Sequence, residues 1–284
     1  MSADPTTFQV APVVRAALAE DLGRAGDVTT DAVVEVDATR TAVIAAREAG
    51  TVAGVTAART VFGLLDTRVE VTVAAPDGNA VAAGTPVLHL RGPARAILTG
   101  ERVALNFLGH LSGIATATAR VVAAVAGTGC RVADTRKTAP GLRALQKAAV
   151  RAGGGVNHRF GLDDAMLVKD NHIAVAGGVA NALARARVAA GHMVKLEVEV
   201  DTLSQLDAAL AGRPDVILLD NMDPGTLRTA VAHIGGRAVT EASGGITLAN
   251  AAEIAATGVD YLALGWLTQG APALDFGLDI ESAA

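Results

Sequence analysis

The chain has 284 residues, of which 51% are hydrophobic, and a formal net charge of -5. This length and apolar content suffice for one large core or two modest ones. The acidic balance excludes a broad basic surface for nucleic acid or an anionic membrane, so a cationic cluster is expected to bind a small anion. Cys130 is the only cysteine, which excludes an intrachain disulfide and favours an inert core thiol.

The chain's apolar segments give no sign of a membrane anchor. Residues 1–14 have no basic start, and the apolar run near 115–127 is interrupted by Arg120. A membrane-spanning helix needs about 18 consecutive apolar residues, and a secretory signal needs a basic start. A cytoplasmic protein is therefore expected.

The first hundred residues favour an α+β domain. Helical patterns occur near 10–22 and 55–65, while 41–54 and 68–92 alternate as antiparallel strands do and contain turn glycines. A long apolar helical stretch follows from Ile97 to Val125, with Gly109 and Gly113 as interruptions. It is expected to lead into a second domain, with the boundary near 108–115.

From about residue 130 onward, short runs rich in Val, Ile and Leu alternate with helical patterns. The runs are 130–135, 165–170, 195–200, 215–220, 238–243 and 261–265. Successive strand-helix units predict a parallel sheet with right-handed crossovers, most economically closed into a barrel. Active sites of such barrels lie at the carboxyl ends of the strands, and nearly every run ends in a polar residue or a glycine.

Two carboxylates are predicted to meet at this edge. Alternation in 195–200 places Glu197 and Glu199 on one face, with Glu199 nearer the strand end and able to meet Asp220. Such a pair could hold Mg²⁺ with substrate oxygens, or hydrogen-bond the hydroxyls of a sugar. The alternative is a buried ion pair with Lys137 or Lys169.

A glycine-rich strand end is the clearest ligand signal. Ser243, Gly244 and Gly245 precede a helical pattern with Thr247 as its cap, and free backbone N–H groups in such a turn favour a phosphate. Gly265, at the end of the next run, would complete the usual barrel phosphate site. The alternative is that the glycines only make a tight turn.

The segment 135–159 is strongly basic. It holds no acidic residue and six of the 24 Lys and Arg residues of the chain. Arg143, Lys147 and Arg151 recur at intervals of four and would repel one another on a helix. A solvated face, carboxylates elsewhere, a second subunit or a field that draws anions would each account for this cationic stripe.

The residues at the two ends of this basic segment predict a binding site. Arg136 and Lys137 follow the first strand of the series, and His158 and Arg159 follow a run of three glycines. Two guanidinium groups suit a planar dicarboxylate, which they can bind through paired hydrogen bonds.

Other chemistries find little support. The histidines share no metal-ligand spacing with one another or with Cys130, which disfavours a zinc site, and no Ser-His-Asp arrangement can be specified. Lys169 at a strand end could form a Schiff base, as in a barrel lyase. The hairpin pattern at 76–92 is similar to that of a biotinyl or lipoyl carrier, but it has no lysine to modify.

Seven blocks, in order, carry a resemblance to a known family. They are TGERVALNFLGHLSGIAT, DTRKTAPGLRALQKAAV, GGGVNHRFGLDDAMLVKDNH, LEVEV, ILLDN, EASGGI and GVDYLALG. Together they resemble the quinolinate phosphoribosyltransferases along the whole chain. The resemblance implies transfer of phosphoribosyl from phosphoribosyl pyrophosphate to quinolinate with loss of CO₂, in de novo NAD biosynthesis. The related alternatives are a molybdenum-transport-associated homologue and a transferase acting on another pyridine carboxylate.

The resemblance also implies an architecture. It is an α/β fold with an N-terminal α/β sandwich over 1–110, joined by a C-terminal segment at 271–284. An incomplete α/β barrel of about seven strands would occupy 111–270. The family further implies a homodimer with shared active sites.

By motif, the family's functional residues map onto this chain. Arg102 would reach into the partner's site and bind quinolinate with Arg136, Lys137, His158 and Arg159. Thr135 lies in the same motif, Lys137 and Lys169 would meet phosphoribosyl pyrophosphate, and Glu199 and Asp220 would meet its ribose hydroxyls and Mg²⁺. The 5′-phosphate would lie against Ser243, Gly244 and Gly245, with Leu264, Gly265 and Trp266. Two positions depart from the pattern: Gln269 stands where the family often has His, and Trp266 replaces a small residue.

Overall fold

The chain folds into two compact units in the structure, a computed structural model that describes residues 6–281. One unit contains the chain up to Ala119, then Thr138–Gly154 and the chain from Leu267 onward; the other contains Arg120–Lys137 and Gly155–Trp266. The sequence-based boundary at 110/111 thus lies inside a continuous helix, and 138–154 groups with the first unit. The ends of the predicted domains, 1–5 and 282–284, lie outside the described residues.

The first unit is built around an antiparallel sheet. Its strands are β1 (Thr39–Ala46), β2 (Gly50–Thr51), β3 (Glu70–Val73), β4 (Ala80–Val81), β5 (Pro86–Pro93) and β12 (Phe276–Ile280). Its helices are α1 (Thr7–Leu22), α2 (Val28–Val33), α3 (Val55–Leu65), α5 (Arg143–Ala152) and most of α4 (Ala94–Ala124). The main sheet has the order β12-β1-β5-β3, and β2 pairs with β4. The C-terminal strand therefore returns to this domain, as expected.

Short-range signals explain the helices that cover this sheet. The Thr6 side chain accepts a hydrogen bond from the Gln9 N–H, and the Gln9 side chain caps Thr6 in return, so α1 begins at a capping box. Val10, Val14 and Leu18 then recur at intervals of four and are buried in the core of the first unit.

Helix α4 is a core helix of 31 residues. By length and composition it could cross a membrane, but 67% of its apolar window is buried inside the molecule. The segment at Pro272–Leu274 crosses it at two glycines: the Leu274 N–H donates to the Gly109 carbonyl at 2.9 Å, and a Cβ on Gly113 would collide with the Pro272 carbonyl. The two glycines therefore admit the returning chain and do not interrupt the helix.

The second unit contains a six-stranded parallel sheet of order β6-β11-β10-β9-β8-β7. Its strands are β6 (Arg131–Ala133), β7 (Met166–Val168), β8 (Leu196–Val200), β9 (Val216–Asp220), β10 (Val239–Ser243) and β11 (Tyr261–Ala263). The helices that follow them are α6 (Asp170–Ala176), α7 (Val179–Ala189), α8 (Leu206–Ala211), α9 (Pro224–Ile234), α10 (Ala251–Ala255) and α11 (Trp266–Gln269), with a 3-10 turn at Leu203–Gln205. The expected α/β class and parallel sheet are confirmed.

A seventh strand is reduced to one residue. Val156 forms an isolated parallel bridge with Ala133 beside β6. Two backbone bonds accompany this bridge, from the Val156 N–H to the Val132 carbonyl at 2.8 Å and from the Asp134 N–H to the Val156 carbonyl at 3.2 Å. Beyond it, the Asp134 carboxylate accepts from the His158 N–H at 2.9 Å and from the Asn157 side chain at 2.5 Å. The sheet therefore stays open between β6 and β7 among the described residues.

Candidate active site

Three carboxylates converge at the carboxyl ends of β8 and β9. Glu199, Asp201 and Asp220 each place a carboxylate oxygen within 4.8 Å of the others. Lys169, the residue before α6, forms an ion pair with Glu199 at 2.9 Å. The structure thus brings Glu199 and Asp220 together as expected. Glu199 also pairs with Lys169, but the Lys169 side chain is 45% exposed, so this is not the buried ion pair of the alternative. Sequence reasoning missed Asp201, which lies two residues beyond Glu199 and continues its alternation past the strand end.

The glycine-rich turn lies beside these carboxylates. Ser243 ends β10 in register with Asp220 on β9, and its carbonyl accepts from the Asn221 N–H at 2.9 Å. Gly244 has a φ of +90° and Gly245 a φ of +62°, a region that side-chain-bearing residues rarely adopt. A Cβ on Gly244 would also collide with Asn221. The turn therefore requires glycine sterically, whatever it binds.

The helix expected directly after this turn begins later. Residues 247–250 form a turn, in which the Thr247 N–H donates to the Asn250 side chain at 2.7 Å. Helix α10 starts only at Ala251 and has five residues. The Thr247 carbonyl accepts from the Ala251 N–H at 3.0 Å, so Thr247 opens the turn that leads into α10. The side-chain bond at this helix start comes from Asn250 and not from the Thr247 hydroxyl.

Gly265, the glycine predicted to complete the phosphate site, is covered by Lys137. A Cβ on Gly265 would lie 2.7 Å from Cδ of Lys137 and 3.5 Å from Oγ1 of Thr135. Thr135 Oγ1 accepts from the Lys137 N–H at 3.0 Å. Next to it, the Leu264 N–H donates to the Ala133 carbonyl at 2.9 Å, which ties the end of β11 to β6.

The unusual Trp266 is anchored to the same region. Its indole N–H donates to the Ile246 carbonyl at 2.9 Å, one residue beyond Gly245. The indole therefore links the two glycine turns. Gln269, the other departure, ends α11.

Two guanidinium groups lie close together in the second unit with unused donors. The Nε atoms of Arg136 and Arg159 are buried and have no hydrogen-bond partner. Burial and then the charge of Arg136 lower the pKa of Arg159, while Glu197 and Asp164 partly offset this. Arg159 also donates through Nη1 to the Ala165 carbonyl at 2.9 Å. Two like charges with buried, unsatisfied N–H groups form a site for an anion.

His158 lies next to this pair and contacts two acidic residues. Its Nε2 is 2.9 Å from Glu197 Oε2 and 3.5 Å from Glu241 Oε1, and both carboxylates are buried. Glu197 points to the same interior as Glu199, as alternation predicted. Glu241 was missed, although it lies two residues before Ser243 and shares its face.

A cavity of about 430 Å³ adjoins these groups inside the second unit. His158, Arg159, Glu197 and Glu241 line it together with Arg131, Lys195, Asp215 and Tyr261, which lie at or just before the amino ends of strands. This volume suits a small ligand. The three ligand atoms of His158, Glu197 and Glu241 also lie within 4.8 Å of one another, but the positive charge of Arg159 next to Glu197 disfavours a cation.

The remaining predicted residues lie elsewhere. Arg102 is exposed on α4, in the first unit; its contact with quinolinate stays a prediction. The cationic stripe lies on α5 as expected, but Lys147 is only 1% exposed, so a solvated face is wrong for this residue. The Arg143 Nε–H donates to Thr138 Oγ1 at 3.1 Å.

Burial raises the pKa of the Cys130 thiol to about 12, with a further contribution from Asp260, in keeping with an inert thiol.

Comparisons with known proteins agree with this arrangement. Residues 27–112 match the model of the quinolinate phosphoribosyl transferase N-terminal domain, and residues 114–279 match that of the C-terminal domain. The chain is 50% identical to the nicotinate-nucleotide pyrophosphorylase [carboxylating] of Mycobacterium leprae over 94% of this chain and 95% of that protein. It is 44% identical to a probable enzyme of the same name from Bacillus subtilis, covering 92% and 90% of the two chains.

Solved structures give the same result. The nicotinate-nucleotide pyrophosphorylase from Francisella tularensis superposes with a TM-score of 0.94 at 37% identity, over 99% of this chain and 100% of that one. The chain therefore belongs to the quinolinate phosphoribosyl transferase family.

Proposed function

We propose that this protein transfers the phosphoribosyl group of phosphoribosyl pyrophosphate to quinolinate, in NAD biosynthesis. The products are nicotinate mononucleotide, pyrophosphate and CO₂. The observation that carries the proposal is the pair of neighbouring guanidinium groups of Arg136 and Arg159, whose buried Nε atoms have no hydrogen-bond partner. Arg159 also lines a cavity of about 430 Å³. The relatives named as carboxylating nicotinate-nucleotide pyrophosphorylases support it over nearly the full chain.

Quinolinate is a planar dicarboxylate, and the cations suit it. Arg136 and Arg159 offer forked donors to its carboxylates, with His158 beside them and Arg102 supplied by the partner subunit. Holding both carboxylates fixes the ring nitrogen toward the anomeric carbon of the second substrate. A bimolecular encounter thereby becomes an oriented one.

The phosphoribosyl group occupies the carboxyl ends of the strands. Backbone N–H groups of Ser243–Gly245 and of Gly265 and Trp266 bind its 5′-phosphate, and Lys137, which lies across Gly265, neutralises phosphate charge with Lys169. The ring nitrogen forms a bond to the anomeric carbon while the bond from that carbon to the pyrophosphate oxygen breaks. Glu199 and Asp220 stabilise the positive charge that develops on the ribose.

Decarboxylation follows transfer. The bond between C2 of the ring and its carboxylate breaks, CO₂ leaves, and the electron pair stays at C2 beside the cationic pyridinium nitrogen. C2 then takes a proton from solvent. The product retains one of the two carboxylates, so it makes fewer contacts with the guanidinium pair, which favours its release.

The proposal includes Mg²⁺ as the cofactor. Glu199, Asp201 and Asp220 fit this ion, because their carboxylate oxygens lie within 4.8 Å of one another at the predicted ribose site. Bound there, Mg²⁺ would supply charge neutralisation for the departing pyrophosphate. The ammonium of Lys169, 2.9 Å from Glu199, offers a protein cation at the same place.

The proposal also includes a cytoplasmic homodimer with shared sites that binds neither nucleic acid nor membrane. A Schiff-base lyase is not favoured, because Lys169 forms an ion pair with Glu199 and a Schiff-base lysine reacts as a free amine.

The deciding assay supplies phosphoribosyl pyrophosphate and Mg²⁺ with either quinolinate or nicotinate. We expect CO₂ and nicotinate mononucleotide in equal amounts from quinolinate and no mononucleotide from nicotinate, because the two guanidinium groups match a dicarboxylate. Product from nicotinate but none from quinolinate would instead favour the related transferase for another pyridine carboxylate.

A further inference from the structure

Gln146 lies where three segments of the first unit meet. The side chain is fully buried on α5. Its Oε1 accepts from the Ala139 N–H at 2.9 Å, and its Nε2 donates to the Thr268 carbonyl at 3.1 Å. The same Nε2 is 2.8 Å from Nε2 of His110 on α4. One amide therefore joins α4, the segment before α5 and the chain near α11.

The two backbone partners fix the orientation of this amide. A backbone N–H can only donate and a carbonyl can only accept, so Oε1 must face Ala139 and the NH₂ group must face Thr268. The NH₂ group then also faces His110, whose Nε2 must accept. His110 is consequently neutral, with its proton on Nδ1. Burial lowers the pKa of His110 from 6.5, which favours the same form.

The segment that Gln146 holds carries proposed substrate ligands. Residues 134–142 contain no helix or strand, and Arg136 and Lys137 lie two or three positions before Ala139. Helix α5 begins at Arg143, so Gln146 stands on a regular element and ties the irregular segment to it. The Leu142 N–H donates to the Ala139 carbonyl at 3.1 Å, which closes the turn around the same residue.

We propose that Gln146 is a positioning residue, which acts with neutral His110 to hold the segment that presents Arg136 and Lys137 to the substrates. The kinetic part of this proposal rests on the proposed function. The structural part is independent of that function. It states that the hydrogen bond from the Ala139 N–H depends on Gln146 and on the protonation of His110.

Protonation of His110 breaks this arrangement. An added proton on Nε2 would place an N–H group against the Gln146 NH₂ group, and the amide cannot rotate without losing both backbone partners. The pKa of His110 is depressed in the folded state, so the arrangement is intact above 6.5 and is lost as the pH falls through the lowered value. Among the described residues, burial is the one cause of the lowered pKa of His110, and the group that His110 contacts on α5 is the Gln146 amide.

The first test measures amide hydrogen exchange at Ala139 in Gln146→Leu. We expect exchange at Ala139 to accelerate at least about tenfold, and kcat/KM to fall about tenfold, mainly through KM for the two substrates. Ser112→Ala is the matched control, because Ser112 is buried on α4 and bonds the backbone of Ala53. This control should lose similar stability with unchanged KM and unchanged exchange at Ala139. Unchanged exchange at Ala139 in Gln146→Leu would overturn the proposal, even if the protein turns over no quinolinate.

The second test uses His110→Gln, which offers an amide oxygen to Gln146 and cannot take up a proton near neutral pH. In the wild type, we expect KM and the exchange rate at Ala139, expressed relative to its intrinsic pH-dependent rate, to rise together as the pH falls below 6.5. In His110→Gln both should stay constant over this range. The same acid dependence of Ala139 exchange in both proteins would exclude His110 as the titrating group and overturn the proposal.

Discussion

At the scale of single residues, the cationic side chains of the basic segment 135–159 differ in what they have as partners. His158 meets the buried carboxylates of Glu197 and Glu241 within the protein. Arg136 and Arg159 instead keep buried Nε atoms without partners. A buried, unsatisfied cation is costly, and such a cost is expected where a ligand supplies the missing anion. His158 therefore has protein carboxylates as partners, whereas the two arginines keep Nε donors for a ligand.

Replacing Arg159 with Lys tests this distinction. Arg159→Lys keeps the charge but removes the forked donors, so we expect KM for quinolinate to rise about 10- to 100-fold, equivalent to about 1.5–3 kcal/mol. KM for phosphoribosyl pyrophosphate should change little. Steady-state kinetics with each substrate varied would show this. Arg228→Lys, on the exposed side of α9, is the control and should leave both values unchanged; an unchanged KM for quinolinate in Arg159→Lys would contradict the assignment.

Asp201 gives a second test at this scale, for the metal. If Mg²⁺ binds among Glu199, Asp201 and Asp220, then Asp201→Asn removes one charged ligand, and the Mg²⁺ concentration for half-maximal activity should rise about three- to tenfold. Activity measured against Mg²⁺ concentration would show this shift. Asp207→Asn is a suitable control, because Asp207 is exposed and bonds His233. Identical Mg²⁺ curves for the two variants would remove Asp201 from the site.

At the scale of elements, the sequence is most informative where the residue pattern within one strand decides which face each side chain occupies. Alternation correctly placed Glu197 and Glu199 in one interior, and the polar strand ends correctly indicated where Lys169, Glu199 and Asp220 converge. The errors arose where a distant side chain decides the local structure. Beyond the single bridge at Val156, the His158 N–H bonds to the side chain of Asp134, which lies 24 residues earlier in the chain. Lys147 is buried although its spacing suits an exposed stripe, because helical periodicity does not reveal which element covers a face.

The glycine turn after β10 permits a test of its own. Gly244→Ala introduces a side chain at a φ of +90° and a collision with Asn221. Gly236→Ala has a similar φ of +74° but nothing within 4 Å of the added Cβ. Both should lose about 1 kcal/mol of stability through backbone strain. Only Gly244→Ala should lose more than this and raise KM for phosphoribosyl pyrophosphate, as thermal unfolding and kinetics would show; equal effects of the two substitutions would contradict a special role for this turn.

At the scale of the whole molecule, the compact units do not follow the order of the chain. The first unit takes in β12 and also α5, whose Leu145, Ala149 and Val150 are buried in its core. Composition and pattern predict domains that are contiguous along the chain. The return of the C-terminal strand to the first domain was expected only from the family resemblance. Composition and pattern could not reveal that a helix inside the barrel sequence packs with the other unit, because an apolar stripe fits many partners.

Subunit mixing tests the last element of the proposal, the shared active site. Arg102→Ala and Lys137→Ala should each inactivate a homodimer. If Arg102 acts in the partner's site, a mixed dimer has one site with both defects and one with neither, since the intact Lys137 and the intact Arg102 come from different subunits. Random mixing makes half of the dimers mixed, so about a quarter of wild-type activity should return. If Arg102 acts within its own subunit, every site of a mixed dimer carries one defect. Verified mixed dimers without activity would therefore exclude the shared arrangement.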